Sequence, residues 1–188
     1  MGSTPVSYLN TCAILLAAYV AVFLQAYVVV VRNWIGVQPD LLPVLMVYCG
    51  LSTGWLTLTL TAVLGGLWFD SLSANPLGIT ILPLFLVGSV IHKTRDLVLR
   101  EQPYARLVLG TAAGAATPFL TVLMLLANGY KPLLGWGTLW QWLILALGAG
   151  LLTPVCFACF DWINRALAYS RTAETSFRPD REIKRGRV

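Results

Sequence analysis

The feature that most constrains this chain is the run from Leu9 to Val31, which is apolar apart from a few small or mildly polar residues. A helix rises about 1.5 Å per residue, so about 20 apolar residues cross a hydrocarbon core of about 30 Å. The run is long enough to do so, and it ends at Arg32 and Trp34, a charge and an aromatic ring typical of a membrane boundary. It lacks a basic flank and a cleavage site, so we predict a retained helix and not a signal peptide.

Charge is scarce along the whole chain. Of its 188 residues, 57% are hydrophobic and 11% are charged, whereas soluble domains carry roughly 25% charged residues. A water-soluble fold cannot bury that much apolar surface, so the sequence predicts an all-α polytopic membrane protein. We expect one transmembrane helical domain over residues 1–170, followed by a basic cytoplasmic tail over residues 171–188.

The number of spans depends on residues 39–70. As a single helix this stretch would be about 48 Å long, whereas Ser52-Thr53-Gly54 offers a break between two shorter helices, Leu41 to Leu51 and Trp55 to Phe69. Two helices are favoured, which gives six transmembrane helices, with five as the alternative. The other predicted spans are Leu77 to Ile91, Leu107 to Ala127, and one from near Trp136 to near Phe160.

The basic residues predict the orientation. Four of them lie in the polar stretch His92 to Arg106, which is predicted to be a loop, and seven lie between Arg165 and Arg187. Because Lys and Arg collect on the cytoplasmic side, the 93–106 loop and the tail are both expected there, and the net charge of +5 does not indicate nucleic-acid binding. Both span counts satisfy this rule: Arg32 favours five, and the length of residues 39–70 favours six.

Asp40 and Asp70 stand at the ends of apolar runs, where ionisable groups are costly enough to call for a functional hypothesis. Asp40 follows Pro39 at a helix start, where a carboxylate caps the helix and suits the macrodipole. Asp70 ends its helix, where the macrodipole disfavours a negative charge, so we expect it to have a hydrogen-bond partner. A membrane aspartyl protease needs paired carboxylates, and Asp70 has no GxGD-type context, so catalysis at Asp70 is not expected.

Other candidate sites are interpreted as structural. Cys156 and Cys159 have redox or metal spacing but no second pair and no nearby His, so they are expected to pack on a helix face. His92, beside Lys93, is expected to lie at a membrane boundary where it can reach water or cap a helix. The sequence therefore predicts no metal site, no cofactor and no enzymatic activity.

Small residues mark the helix faces that can approach closely in a membrane. Ala13, Ala17 and Ala21 recur at every fourth position of the first span, and Gly110 and Gly114 form a GxxxG motif in a later one. Such faces pack within the fold or dock another protein's helix. The internal use is favoured, and the other stays open.

Three short motifs between residues 38 and 78 carry a family resemblance. They are Gln38-Pro39-Asp40-Leu41-Leu42, Gly65-Gly66-Leu67-Trp68-Phe69-Asp70-Ser71-Leu72 and Asn75-Pro76-Leu77-Gly78. In letters and spacing they resemble MreD, the rod shape-determining membrane protein of bacteria. The resemblance implies a six-helix fold like that of the substrate-binding subunits of energy-coupling-factor vitamin transporters, in the bacterial inner membrane with both termini cytoplasmic.

The resemblance also implies a non-enzymatic role. MreD-like proteins pair with MreC in the elongation complex that couples cytoplasmic MreB and RodZ to RodA and its penicillin-binding partner, and so maintain cell shape through peptidoglycan synthesis. Contacts are expected with these proteins and with membrane lipids, and not with nucleic acid. The residues expected to shape the extracytoplasmic rim or to dock a partner's helix are Ala13, Ala17, Ala21, Pro39, Asp40, Asp70, Pro76 and Gly78.

A second function is compatible with the same implied fold. The chain could serve as the substrate-capturing subunit of an energy-coupling-factor vitamin transporter, in which the alanine stripe would contact a coupling protein. A ligand-dependent rise in thermal stability distinguishes this hypothesis, because a ligand that binds only the folded state stabilises it.

Overall fold

The computed structural model describes residues 5–27, 40–73, 75–95, 103–131 and 135–175, with side chains at residues 10–25, 27, 40–73, 75–95, 104–131 and 135–165. Within these ranges the chain forms α-helices and no β-strand, which confirms the all-α prediction for this part of the chain. The helices of the described residues are α1 (Pro5–Tyr27), α2 (Leu42–Ser52), α3 (Trp55–Leu72), α4 (Ile81–Thr94), α5 (Pro103–Ala127) and α6 (Trp136–Thr175). The chain divides into two compact units, residues 1–157 and 158–188, with the boundary inside α6.

The break predicted within residues 39–70 is present. Thr53 and Gly54 are both extended and separate α2 from α3. The backbone N–H and the hydroxyl of Thr53 both donate to the carbonyl of Cys49, at 3.0 and 2.8 Å, and so satisfy a carbonyl that the end of α2 leaves open. The alternative of a single helix over this stretch is therefore wrong.

The short helix α2 lies at the centre of the first unit. Every residue from Leu42 to Leu51 is buried, and α1, α3, α4 and α5 all pack against it. Its start lies against the second half of α3, where a Cβ added to Gly65 would be 3.1 Å from Leu42 Cδ2, and near its end Cys49 Sγ is 3.8 Å from Thr61 Oγ1. The two helices are therefore antiparallel. With 11 residues, α2 is about 16 Å long.

The first helix runs parallel to α3. Near their starts the hydroxyls of Thr11 and Thr57 are 2.9 Å apart, and further along the ring centroids of Tyr19 and Trp68 are 5.2 Å apart. The edge-on arrangement of these rings is a favourable one for aromatic pairs. Contacts at both levels hold α1 along the length of α3.

Glycines bring α4 close to its neighbours. A Cβ added to Gly66 would be 3.0 Å from the backbone of Ile81, and one added to Gly88 would overlap Met46 of α2 and come within 3.4 Å of Leu58 of α3. Side chains at these positions would push the helices apart, which is why small residues mark close contacts between membrane helices. The order of the contacts makes α4 antiparallel to α3.

The GxxxG motif of α5 packs against α6 within the chain. A Cβ added to Gly110 would overlap the hydroxyl of Thr153, and one added to Gly114 would be 2.5 Å from the Cβ of Ala149. The contacts follow an antiparallel order. This confirms the favoured internal use of the predicted contact face for Gly110 and Gly114.

Residues 92–106 differ from the predicted loop, because α4 covers the start of this stretch and α5 its end, while residues 96–102 lie outside the described residues. His92 is 6% exposed. Its Nδ1 lies 3.0 Å from the carbonyl oxygen of Gly50, and its ring centroid is 4.6 Å from that of Trp55. Of the two roles expected for His92, the contact with Gly50 at the end of α2 confirms helix capping, whereas access to water is not observed because these tertiary contacts enclose the ring.

The last helix is longer than the sequence suggested. α6 continues to Thr175, past the predicted end of the last span near Phe160 and through the polar stretch that follows. The predicted boundary between the residues 1–170 domain and the 171–188 tail therefore falls inside a helix. Residues 176–188 of the tail lie outside the described residues.

In the part of the chain that the structure describes, three helices are long and apolar enough to cross a membrane, over Trp55–Leu72, Tyr104–Ala127 and Trp136–Arg165. Shorter apolar helices cover Asn10–Gln25, Leu42–Ser52 and Ile81–Thr94 of the described chain. Large apolar side chains such as Leu16, Leu56 and Leu151 are 65–71% exposed, which is the pattern expected of a surface in contact with lipid. The chain is a membrane protein by these criteria.

Candidate functional site

Two features lie at the end of the first unit where α3 ends and where α2 and α4 begin. One is a set of polar groups that we call the acidic rim, defined as Asp40, Asp70 and the turn at residues 75–80. The other is a cleft that is lined by residues of the rim on one side and by residues of α5 and α6 on the other. Both are built by residues of the first unit.

Asp70 is an almost fully enclosed member of the acidic rim, with 2% of its surface exposed. Its Oδ2 accepts the backbone N–H groups of Gly78 and Thr80, at 2.8 and 3.1 Å, and its Oδ1 accepts the hydroxyl of Thr80. Hydrogen bonds to an ionised acceptor are roughly twice as strong as neutral ones. The expectation that Asp70 has hydrogen-bond partners is confirmed, and those partners join the end of α3 to the start of α4.

The turn before α4 presents backbone N–H groups to the carboxylate of Asp70. Gly78 has a φ of 90°, in the left-handed region that favours glycine. Just before it, the carbonyl of Pro76 accepts the N–H of Ile79 at 3.4 Å. The structure thus brings together three of the predicted residues, Asp70, Pro76 and Gly78.

Thr80 is a member of this network that the sequence reasoning missed. It occupies the N-cap position of α4 and is 2% exposed. A threonine directly before an apolar helix is a recognised start signal, and it could have pointed to this position. Its hydroxyl binds Asp70 and not the first turn of its own helix.

Asp40 lies immediately before α2 and is half-buried. Its Oδ1 accepts the backbone N–H of Leu42 at 3.0 Å and lies 3.5 Å from Nε2 of Gln25, near the end of α1. The predicted capping role is confirmed through Leu42, although Leu41 holds the N-cap position itself. Burial raises the pKa of the Asp40 carboxyl from 3.8 to about 6, against the lowering effect of these hydrogen bonds. Pro39 lies outside the described residues.

The predicted alanine stripe lies on a different part of the unit. Ala21 is buried, whereas Ala13 and Ala17 are half-buried beside the inward face of α1. The opposite face of that helix carries large side chains such as Leu16 and Val20, which are 65% and 51% exposed. The stripe therefore borders the contact of α1 with the rest of the chain and is not part of the acidic rim.

The cleft has a volume of about 330 Å³. Its polar lining includes Asp40, Asn75, Thr80, Thr117, Thr121 and Gln141, and its apolar lining includes Phe69 and Trp142. Among the described lining residues Asp40 is the one ionisable side chain. The cleft therefore has a mixed polar and apolar lining with a single carboxylate.

The hydroxyls of two cleft threonines donate back into α5. The hydroxyl of Thr117 donates to the carbonyl of Ala113, and that of Thr121 donates to the carbonyl of Thr117, both at 2.9 Å. A hydroxyl has one proton and two acceptor lone pairs, so these oxygens can still accept. The cleft can therefore accept hydrogen bonds from a bound group.

The chain has no match among known family models, curated proteins or solved structures. Within the described residues no three His, Cys, Asp or Glu side chains come together as metal ligands would. The arrangement at the cleft can bind a hydrogen-bond donor beside Asp40.

Proposed function

We propose that this chain is a six-span, non-enzymatic membrane scaffold of the MreD type. It would pair with MreC in the inner membrane and link MreB and RodZ to peptidoglycan synthesis by RodA and its penicillin-binding partner. The observation that supports the proposal best is that a described residue from each of the three motifs, Asp40, Phe69 and Asn75, lines the same cleft. Motifs that lie up to 40 residues apart in sequence thus act in one structural feature.

Each motif contributes residues to the rim or to the helix contact beside it. The first supplies Asp40, which binds the start of α2. The second supplies Gly65, which lies against Leu42 of the first motif, and Asp70, which closes α3. The third supplies Gly78, whose N–H binds Asp70. A rim held by internal hydrogen bonds suits a protein that presents a constant surface to a partner.

The helix directions support six spans. α2 and α4 are antiparallel to α3, α1 is parallel to it, and α6 is antiparallel to α5, which is the order expected of successive crossings in alternating directions. α2 needs no lipid match because protein surrounds it. Its short length is therefore compatible with a crossing. The fold that we propose is like that of the substrate-binding subunits of energy-coupling-factor transporters.

The basic residues support the orientation. Lys93 and Arg95 lie at the end of α4, and Arg106 lies in the first turn of α5, with its guanidinium 4.5 Å from the ring centroid of Phe157. These positions lie at the opposite ends of α4 and α5 from the acidic rim. By the positive-inside rule they would be cytoplasmic, and the rim would then lie on the outer side.

The decisive experiment is co-purification and complementation. The tagged chain, expressed with MreC from the same genome, should recover MreC from detergent-solubilised membranes, and its depletion should turn rod-shaped cells round. Asp70→Asn should reduce the recovery of MreC, whereas Ser71→Ala should not, because the exposed Ser71 hydroxyl bonds only its own helix at Trp68. No recovery of MreC together with normal cell shape after deletion would contradict the proposal.

The alanine stripe offers a test of the docking face. Ala17→Leu adds bulk at a half-buried position beside the inward face of α1, so it should lower the recovery of MreC if a partner's helix docks there. Ala112→Leu, at an exposed position of α5, is the matched control. Equal recovery with both variants would place the docking face elsewhere.

A further inference from the structure

The cleft at the acidic rim has no part in the proposed scaffold role. It lies between the starts of α2 and α4, the end of α3, the second half of α5 and the first half of α6. Its volume of about 330 Å³ is at the small end of the range of about 300–1,000 Å³ for ligand pockets. It could hold a small molecule or a single headgroup.

The polar groups of the cleft favour a ligand that donates hydrogen bonds. Thr80 donates its hydroxyl proton to Asp70, and Thr117 and Thr121 donate theirs to backbone carbonyls of α5. What these hydroxyls still offer is acceptor lone pairs. Together with the carboxylate of Asp40 they make a lining rich in acceptors.

The charge of the cleft also favours a ligand that donates hydrogen bonds, and specifically a cation. Asp40 is half-buried, and the described lining residues include no Lys, Arg or His. A carboxylate in a poorly hydrated place is stabilised by a cation that also donates hydrogen bonds to it. The aromatic rings of Phe69 and Trp142 lie in the same lining, and aromatic faces attract cations and alkyl groups.

We infer that the cleft binds a primary ammonium group, whose N–H groups donate to Asp40 and the threonine oxygens while its carbon chain lies against the apolar wall. Two sources share this chemistry. One is a small free amine, and the other is the headgroup of an aminophospholipid such as phosphatidylethanolamine. Binding at this cleft is independent of whether the chain recruits MreC.

The test measures the thermal stability of the full-length purified chain, followed by its tryptophan fluorescence. The first arm adds ethanolamine to protein in detergent, and the second compares nanodiscs of phosphatidylethanolamine with nanodiscs of phosphatidylcholine. A ligand that binds only the folded state raises Tm. The expected result is a rise with ethanolamine, with phosphatidylethanolamine, or with both, and the arm that responds identifies the source.

Variants assign the rise to the cleft. Asp40→Asn should weaken ligand binding by about tenfold or more, because a hydrogen-bonded charge is lost. Asp161→Asn is the control: it also removes a carboxylate, but one outside the lining residues, so it should keep the rise in Tm. Thr121→Val keeps the shape of the side chain but removes an acceptor, so it should weaken binding too. Thr59→Val is its control, since Thr59 is exposed and bonds its own helix at Trp55.

Three results would overturn the inference. The first is no rise in Tm in either arm. The second is a Tm in phosphatidylcholine nanodiscs equal to that in phosphatidylethanolamine nanodiscs. The third is an equal loss of the ligand-dependent rise in Tm in Asp40→Asn and Asp161→Asn. If Asp40→Asn does not fold, Thr121→Val decides: an unchanged rise in that variant overturns the assignment to the cleft, and a loss relative to Thr59→Val supports it.

Discussion

The carboxylate of Asp70 accepts the backbone N–H of Gly78 at 2.8 Å, across eight positions of sequence. Asp70 lies in the last turn of α3 and Gly78 lies in the turn that leads into α4, so one side chain joins two helices. Thr80 adds two more donors to the same carboxylate. The negative charge at the unfavourable end of α3 is therefore balanced by donors from within the chain.

Asp70→Asn should destabilise the protein. The asparagine side chain keeps the size of the aspartate but has an NH₂ group in place of one carboxylate oxygen. An NH₂ group cannot accept a hydrogen bond from the N–H and O–H donors that Asp70 binds, so at least one buried hydrogen bond is lost. We expect the free energy of unfolding to fall by about 1–3 kcal/mol, measured as a lower Tm in detergent. Ser71→Ala, at an exposed position, is the control. Equal Tm values for the two variants would show that the Asp70 network contributes nothing.

Gly78→Ala should also destabilise the protein, for a backbone reason. Gly78 has a φ of 90°, where a residue with a Cβ is strained by about 1–2 kcal/mol. Gly54→Ala is the matched control, because Gly54 has a φ of −90° and no atom within 4 Å of an added Cβ. That variant should be neutral or stabilise by up to about 1 kcal/mol. The Tm of both variants in the same detergent measures the difference in stability. An unchanged Tm in Gly78→Ala would refute the expected backbone strain.

Gly114→Ala and Gly148→Ala should have opposite effects, although both glycines are helical. A Cβ at Gly114 would be 2.5 Å from the Cβ of Ala149 and would force α5 and α6 apart, while a Cβ at Gly148 meets nothing within 4 Å. We expect Gly114→Ala to cost about 1–3 kcal/mol by overpacking. Gly148→Ala should stabilise by about 0.5–1 kcal/mol through helix propensity. Stabilisation by both would argue against the close packing of the two helices.

The stability of the protein should depend on pH through Asp40. Because burial raises the pKa of Asp40 from 3.8 to about 6, the folded state holds a proton between these values that the unfolded state has released. The free energy of unfolding should therefore decrease as pH rises through about 4 to about 6 and stay lower above that range.

Asp40→Asn should remove this dependence. The difference in Tm between the variant and the native protein should be largest near pH 7 and should shrink toward pH 4. Asp161→Asn, which removes a charge elsewhere, should leave the slope in place. Parallel pH profiles for Asp40→Asn and the native protein would show that another group titrates.

Local signals were enough to predict much of the fold. The excessive length of residues 39–70 and the small residues around Gly54 correctly predicted two helices, because helix length and breakers are properties of a short window. The GxxxG spacing of Gly110 and Gly114 predicted a contact face for the same reason. The position of Asp70 at a helix end also predicted that it needed a partner.

Features that depend on distant residues could not be predicted in this way. His92 looked like a boundary residue beside Lys93, but its partner is the carbonyl of Gly50, 42 positions away. The cleft is likewise assembled from Asp40 and residues more than 70 positions further along, such as Thr121 and Gln141. Periodicity within one helix carries no information about such pairs.

The enclosure of α2 has a consequence for how the chain is made. α5 packs against α2 and is synthesised after it. α2 therefore cannot reach its final surroundings until at least residues 103–127 have been synthesised and inserted into the membrane. A helix of about 16 Å is also too short to be retained in the bilayer by its own length. Insertion of this chain should therefore be cooperative, with nascent chains truncated before α5 degraded more readily than those that include it.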